Sequence, residues 1–188
     1  MIITETERLR IRAWKESDRD LFFAINSDPK VMEFFPFRRN RAEADALFDR
    51  VGRGIAETGL GFFAIALKAD DRPLGFCGLA LTDLEPHLPK GTVEIGWRLA
   101  PSYWGKGFVT EAASELLRYA FEEKGLDEVV SFAIDANTRS TAVMQRLGMH
   151  RDASRDFDHP RVPADQPALV PHVLYATSAA EWRKRNAK

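Results

Sequence analysis

Gly105 and Gly107 stand one residue apart, directly before a run that reads as a helix start, with Thr110 and Glu111 in its first turn. Glycines let a backbone turn so that several N–H groups face one point, and a helix N-terminus adds partial positive charge. Together they make a cradle for an anion, phosphate above all. Two familiar phosphate cradles are excluded. A Walker-type loop needs an upstream glycine where Ala100 stands, and a dinucleotide fingerprint needs a third glycine where Thr110 stands. A serine hydrolase is disfavoured because no G-x-S-x-G elbow occurs, and a zinc enzyme because His pairs at helical spacing are missing. The single cysteine, Cys77, excludes an internal disulfide and a multi-cysteine metal site; it sits in an apolar run with no neighbouring His and reads as packing. A tight turn that merely uses glycine would account for the G-x-G on its own, so the surrounding elements have to decide.

Those elements alternate without a linker. Arg8 to Arg12 alternates polar and apolar residues, a strand with one buried face. Ser17 to Asp20 has capping-box spacing ahead of a helix carrying Leu21, Phe22 and Ile25, stopped by Asp28-Pro29. A short aromatic stretch (Phe34, Phe35, Phe37) leads to a second helix from about Asn40 to Glu57. Phe62 to Leu67 and Leu74 to Leu81 read as strands joined by a turn-rich connection. Thr92 to Leu99 reads as a third, where Gly96 suggests a bulge or a close backbone approach. An amphipathic helix follows from Phe108 to Lys124, then a strand at Val129–Ile134 and a short helix at Asn137–Leu147. The tail holds a polar, proline-rich loop (Arg155 to Pro171), a strand (His172 to Thr177) and a basic terminal helix. The fold class is therefore α/β (α+β): a mixed central sheet with helices on both faces, expected to form one domain over residues 1–188.

Composition narrows the partners. Lys and Arg number 27 against 28 Asp and Glu, leaving a net charge of −1, which argues against a nucleic-acid-binding stripe. No apolar run approaches the ~20 residues that span a membrane, and the start of the chain lacks a signal-peptide pattern. A cytoplasmic, soluble protein is expected. Thirteen Phe and four Trp supply more aromatic surface than a core of this size strictly needs, so an aromatic pocket wall is open alongside core filling.

The segment from Val93 through Gly96-Trp-Arg-Leu-Ala-Pro-Ser-Tyr-Trp-Gly-Lys-Gly-Phe-Val-Thr-Glu-Ala112 closely resembles the acetyl-CoA-binding segment of the GNAT superfamily of N-acetyltransferases. It is most similar to the branch that includes the ribosomal-protein N-terminal (alanine/serine) acetyltransferases. Thr6 to Trp14 resembles the family's first strand, and Asn137-Thr-Arg-Ser140 with Met144-Gln-Arg-Leu-Gly-Met149 resembles its second motif. The resemblance implies acetyl-CoA as cosubstrate without a metal, a fold with strands splayed at the acyl-CoA site, and a primary amine as acceptor. That acceptor would be a small molecule or a peptide N-terminus, with no nucleic acid or membrane, and a homodimer is compatible with the branch.

Carried over by position, the backbone of Trp97, Arg98 and Leu99 would bond the pantetheine arm, and the N–H groups of Gly105, Lys106, Gly107, Phe108, Val109 and Thr110 would hold the pyrophosphate. Trp104 and Val109 depart from the residues most members carry there. Glu94 is the first candidate for the base that an amine acceptor needs, and Asp158 or His159 in the tail loop is the second; a structural glutamate and a solvated loop are the competing accounts. Many members place a tyrosine where Met144 stands to protonate the departing thiolate. Ser140 is the substitute, with Asn137 on the pantetheine, although both are also good helix-start residues. The absent tyrosine keeps a rival open: a non-catalytic acyl-CoA sensor on the same fold. By family analogy Phe34, Phe35, Phe37, Phe157 and His159 would wall the acceptor. Arg38, Arg39 and Arg41 read as a solvated basic face, with an anionic acceptor or CoA phosphate as the alternative. His172 reads as structural, with a chemical role as the alternative, and His87 and His150 carry no pattern.

Overall fold

Burial explains the strand choice. In β2 (Leu9–Arg12) Leu9 and Ile11 are fully buried, as the alternation requires. β2 pairs with a preceding strand, β1 (Ile2–Glu5), that the alternation argument did not pick out. A computed structural model describes residues 1–187. Helices α1 (Arg19–Ser27) and α2 (Arg41–Thr58) follow, then strands β3 (Gly61–Leu67), β4 (Pro73–Leu81) and β5 (Val93–Leu99). Helix α3 (Phe108–Arg118), strand β6 (Glu128–Ala133) and helix α4 (Thr138–Arg146) lead to two short strands, β7 (His150–Arg151) and β8 (Phe157–Asp158). Strand β9 (Pro171–Ser178) and helix α5 (Ala179–Asn186) complete the order. The main sheet runs β1-β2-β3-β4-β5-β6-β9-β7, and β8 pairs with β9. Every adjacent pair is antiparallel except β5–β6.

Successive side chains leave a strand on opposite faces, and that divides the core. Phe76 of β4 lies opposite Arg98 of β5, on the face covered by α1; Leu79 lies opposite Ile95, on the face buried by Ala112, Ala113, Leu116 and Leu117 of α3. Beneath α1 and α2, the rings of Trp14, Phe22 and Phe48 meet edge to face, with centroids 4.9 Å (Trp14–Phe22) and 5.4 Å (Phe22–Phe48) apart. No helix among the described residues is long and apolar enough to cross a membrane.

Several local expectations change. Ser17 does not cap a helix: residues Glu16–Asp18 form a short 3-10 turn, and Asp18 instead accepts the Lys15 N–H (2.8 Å) and pairs, fully buried, with Arg12 (2.6 Å). Gly96 makes no bulge. It pairs in regular register with Gly78, and its missing side chain leaves room for the Phe62 ring, 3.0 Å from where a Cβ would stand. The helix expected to reach Lys124 is α-helical only to Arg118 and widens into a π turn over Tyr119–Glu123. The tail loop is not wholly irregular, since Phe157 and Asp158 form β8.

Candidate active site

The parallel pair at the centre of the sheet meets at a single register, Glu94 opposite Val130. Beyond it β5 and β6 part, and Gly96 to Leu99 on one side and Ser131 to Ile134 on the other line one cleft of about 1030 Å³. The parting exposes backbone. Ala100 N–H bonds Leu74 O (3.0 Å), so by strand alternation Arg98 also spends its peptide groups on β4. Leu99 O accepts from the Trp104 indole N–H (2.9 Å), which marks the opposite, open side. The peptide groups of Trp97 share that side. Of the three residues expected to bond the pantetheine through their backbone, Trp97 and Leu99 thus present it to the cleft and Arg98 does not.

At the end of β5 the chain turns through Gly105 (φ +73°) and Gly107 (φ +76°), a left-handed geometry that costs other residues about 1–2 kcal/mol each. Gly107 caps α3 and offers no side chain to its first turn, so the N–H groups of Phe108, Val109 and Thr110 stay free of side-chain caps. Glu111 would place an unwelcome charge beside an anion. It is held instead by the N–H and guanidinium of Arg8 (2.9 and 2.6 Å) and by the Thr6 hydroxyl, and those bonds keep its carboxyl below the usual range. Arg8 also lies over the Phe108 ring (4.6 Å) and donates to Lys106 O (3.2 Å), bracing the loop from the β1–β2 turn. The Lys106 side chain does not line the cleft; its ammonium lies over the ring of Tyr103, which does, at 5.6 Å.

Across the cleft, Asn137 caps α4 by accepting the Ser140 N–H (3.2 Å). Ser140 lines the cleft, and its hydroxyl has no hydrogen-bond partner among the described residues. Met144 lines it as well, almost wholly buried. Arg139 reaches over from the start of α4 to Glu33 (2.8 Å) and stacks on Trp104 (4.5 Å), bridging the two walls.

Glu94 projects into the cleft at the point where the strands part. Burial, and secondarily the charge of Asp83, push its carboxyl up to about 7, with Arg161 partly offsetting them. Arg161 comes from the tail loop and pairs with Asp83 (2.6 Å), so that the loop closes over Glu94. The other base candidates are placed differently. Asp158 is exposed and outside the cleft lining. His159 lines the cleft, but burial and the neighbouring His172 and Arg161 push it down to about 4. Its Nδ1 accepts the Arg161 N–H (3.2 Å), which leaves the ring proton on Nε2 and makes that nitrogen a donor. His172, which the sequence favours for structure over chemistry, also lines the cleft and donates Nδ1–H to Val170 O (3.0 Å), leaving Nε2 as an acceptor.

Phe34, Phe35 and Phe37 all line the cleft, and Phe35 and Phe37 stay 38% and 43% exposed, more than core residues would be. Phe157 does not line it: it is buried with Leu84, Leu88, Val130 and Leu174, behind the imidazoles of His159 and His172. The tail loop touches the aromatic stretch where Gln166 Nε2 donates to Pro36 O (3.1 Å). Arg41 is tied to Asp20 (2.6 Å) and Asp45 (2.9 Å) and Arg38 is exposed, as a solvated face requires, but Arg39 turns inward and lines the cleft. Cys77 is fully buried and burial pushes its thiol far up, so it only packs.

Parted parallel strands and an uncapped glycine-led helix start open onto one cleft, and residues 8–150 match the family described as Acetyltransferase (GNAT) domain: the chain belongs to the GNAT acetyltransferases, acetyl-CoA-dependent transferases. Among its relatives, the Bacillus subtilis protein YdaF is 44% identical over 151 residues, covering 78% of this chain and 79% of that one. The FsC-acetyl coenzyme A-N(2)-transacetylase of Aspergillus fumigatus is 31% identical over 183 residues, 94% of this chain and 76% of its own. The solved acetyltransferase (GNAT family) from Bacillus anthracis superposes with a TM-score of 0.76 over 96% of this chain and 100% of that one, at 26% identity.

Proposed function

We propose that this acetyltransferase moves the acetyl group of acetyl-CoA to a primary amine by direct attack within a ternary complex, with Glu94 as general base. The observation that carries the reading is the position of Glu94, a carboxyl near neutrality at the one register that joins β5 to β6. The free N–H groups of Phe108, Val109 and Thr110 fit a diphosphate, and the open edge at Trp97 and Leu99 fits the amides of a pantetheine arm. Bound acetyl-CoA supplies an activated thioester carbonyl.

An alkylammonium ion is not a nucleophile at neutral pH. Glu94 takes one proton from it, directly or through a water, and the freed nitrogen lone pair attacks the carbonyl carbon. The oxyanion that forms takes a hydrogen bond from the Trp97 N–H, a fixed dipole on a rigid strand. The C–S bond then breaks as the carbonyl reforms, the nitrogen sheds its second proton to solvent, and the thiolate receives a proton from the Ser140 hydroxyl, which solvent replenishes. Products are an acetamide and free CoA. His159, protonated on Nε2, donates a hydrogen bond to the acceptor and takes no proton from it.

Incubation with acetyl-CoA and a panel of primary amines, read by thiol release and product mass, tests the reading. Thiol release that depends on the amine, with a product 42 Da heavier, is the expected result. Tight acetyl-CoA binding with no acetylated product across small amines and peptide N-termini is what a non-catalytic sensor gives, and would overturn it.

A further inference from the structure

Two arginines in the cleft wall, Arg98 and Arg39, carry a buried guanidinium nitrogen with no hydrogen-bond partner among the described residues. Arg12, Arg19, Arg41 and Arg118 each meet a carboxylate within 3.1 Å. Arg98 and Arg39 meet none among the described residues. The Arg98 guanidinium lies over Phe35 (4.4 Å to the ring centroid) and Phe76 (5.3 Å). Its polar contact is a neutral one, Nη1 to Asn26 Oδ1 at 2.6 Å, and its Nε is buried without a partner. Arg39 lies over Phe37 (4.5 Å), again with a buried, unpartnered Nε. An unsatisfied donor on a charged, desolvated group costs more than on a neutral one.

Asn26 makes the pair a built feature. It is fully buried, its Nδ2 is committed to Phe22 O (2.7 Å), and so its oxygen is fixed on Arg98. Its own carbonyl accepts the Arg39 N–H (2.9 Å). One residue therefore aims both arginines at the cleft. Burial and the charge of Arg39 push Arg98 down to about 9, which still leaves it a cation at neutral pH; burial and Arg50 lower Arg39 as well, with Glu43 opposing. The wall holds two like charges and awaits an anion.

We propose that Arg98 and Arg39 form a subsite for a carboxylate carried by the acceptor, so that the preferred substrate is an amine bearing a carboxylate several bonds from its nitrogen. The separation follows from the strand. Glu94 and Arg98 share one face of β5, four residues of strand put their Cα atoms about 13 Å apart, and the Arg98 charge is not among those that shift the Glu94 carboxyl, so the two side chains do not converge. An α-amino acid, with amine and carboxylate on one carbon, is too short to engage both; an ω-amino acid or a short peptide with an acidic group is long enough. The inference rests on Glu94 marking where the amine reacts.

The test uses the whole chain with saturating acetyl-CoA and matched acceptors: 6-aminohexanoate against its methyl ester, and Ala-Ala-Glu amide against Ala-Ala-Gln amide. Wild type should favour the carboxylate in at least one pair by ~10-fold in kcat/KM, and which pair responds tells the small molecule from the peptide. Arg98→Gln should erase that ratio, mainly through the carboxylate substrate's KM, and Arg98→Lys should restore part of it. Arg39→Gln, on a loop outside the sheet, should reduce the ratio by a smaller factor and serves should Arg98→Gln fail to fold. Binding of glutarate to the resting protein, by calorimetry, reads the subsite without turnover. Glutarate binding lost in Arg39→Gln, with no amine acetylated, keeps the subsite and overturns the proposed reaction. Acetylation of esters and carboxylates at equal rates keeps the reaction and overturns the subsite. So does an Arg98→Gln effect confined to the KM of acetyl-CoA, which would assign the arginines to a CoA phosphate.

Discussion

The two walls of the cleft offer different kinds of group to a ligand. On the cofactor side the groups on offer belong to the backbone: the open edge at Trp97 and Leu99, the left-handed turns at Gly105 and Gly107, and the uncapped first turn of α3. Side chains there act as braces, as Arg8 does on Lys106 O and Glu111. On the acceptor side the groups are side chains: Glu94, Arg98, Arg39, His159 and the aromatic stretch. A backbone site tolerates side-chain replacement and depends on φ, whereas a side-chain site can be retuned by one substitution without moving the sheet. The first suits a ligand shared across a family, the second a ligand particular to one member.

Glu94→Gln should break the acceptor side most severely. Removing a general base costs ~10²–10⁴-fold, so kcat should fall by about that factor while the acetyl-CoA Kd stays nearly constant. In the parent, kcat/KM should rise with pH through about 7, because Glu94 must lose its proton before it can act, and this limb should vanish in the variant. Stability runs the other way. A carboxyl whose pKa is raised by folding stabilises the fold while protonated, and that contribution is lost as pH climbs through about 7. Glu94→Gln should therefore melt higher than the parent at pH 8, by the equivalent of about 3 kcal/mol, and show little gain at pH 4.

Gly107→Ala should give the mirror image: acetyl-CoA binding weakened about tenfold, from the ~1–2 kcal/mol penalty of the left-handed turn, with the preference among acceptors unchanged. Ser140→Ala should lower kcat about tenfold at most, the worth of one hydrogen bond to a charged sulfur, and a solvent isotope effect on the chemical step should change with it. Asp158→Asn, on the exposed side of β8, should alter kcat/KM by less than about twofold. A large effect there would place a second base on the acceptor wall.

The same contrast explains what could be read from the chain. The cofactor wall is local in sequence: Gly105, Gly107 and Thr110 lie within one turn, so their spacing already carries the geometry. Gly96 left a bulge and a close backbone approach both open, and the structure shows neither: the register is regular and what comes close is the Phe62 side chain, from β3. The acceptor wall is assembled from distant segments. Arg161 reaches Asp83 across 78 residues, and Gln166 reaches Pro36 across 130. Arg98 was legible only as a backbone donor, although its inward side chain, held by Asn26, proves the more distinctive feature. Phe157 and Asp158 could not be sorted by periodicity, since a two-residue strand gives no period to read.

The single register between β5 and β6 has a mechanical consequence. Amides in the middle of a large sheet normally exchange with solvent only on global unfolding, yet the Trp97 amide sits at the geometric centre and has no ladder partner. It should exchange as fast as an amide at a sheet's rim. A pantetheine laid along that gap would act as a surrogate strand, slowing this exchange and joining the β1–β5 leaf to the β6–β9 leaf, so that the two unfold as one cooperative unit.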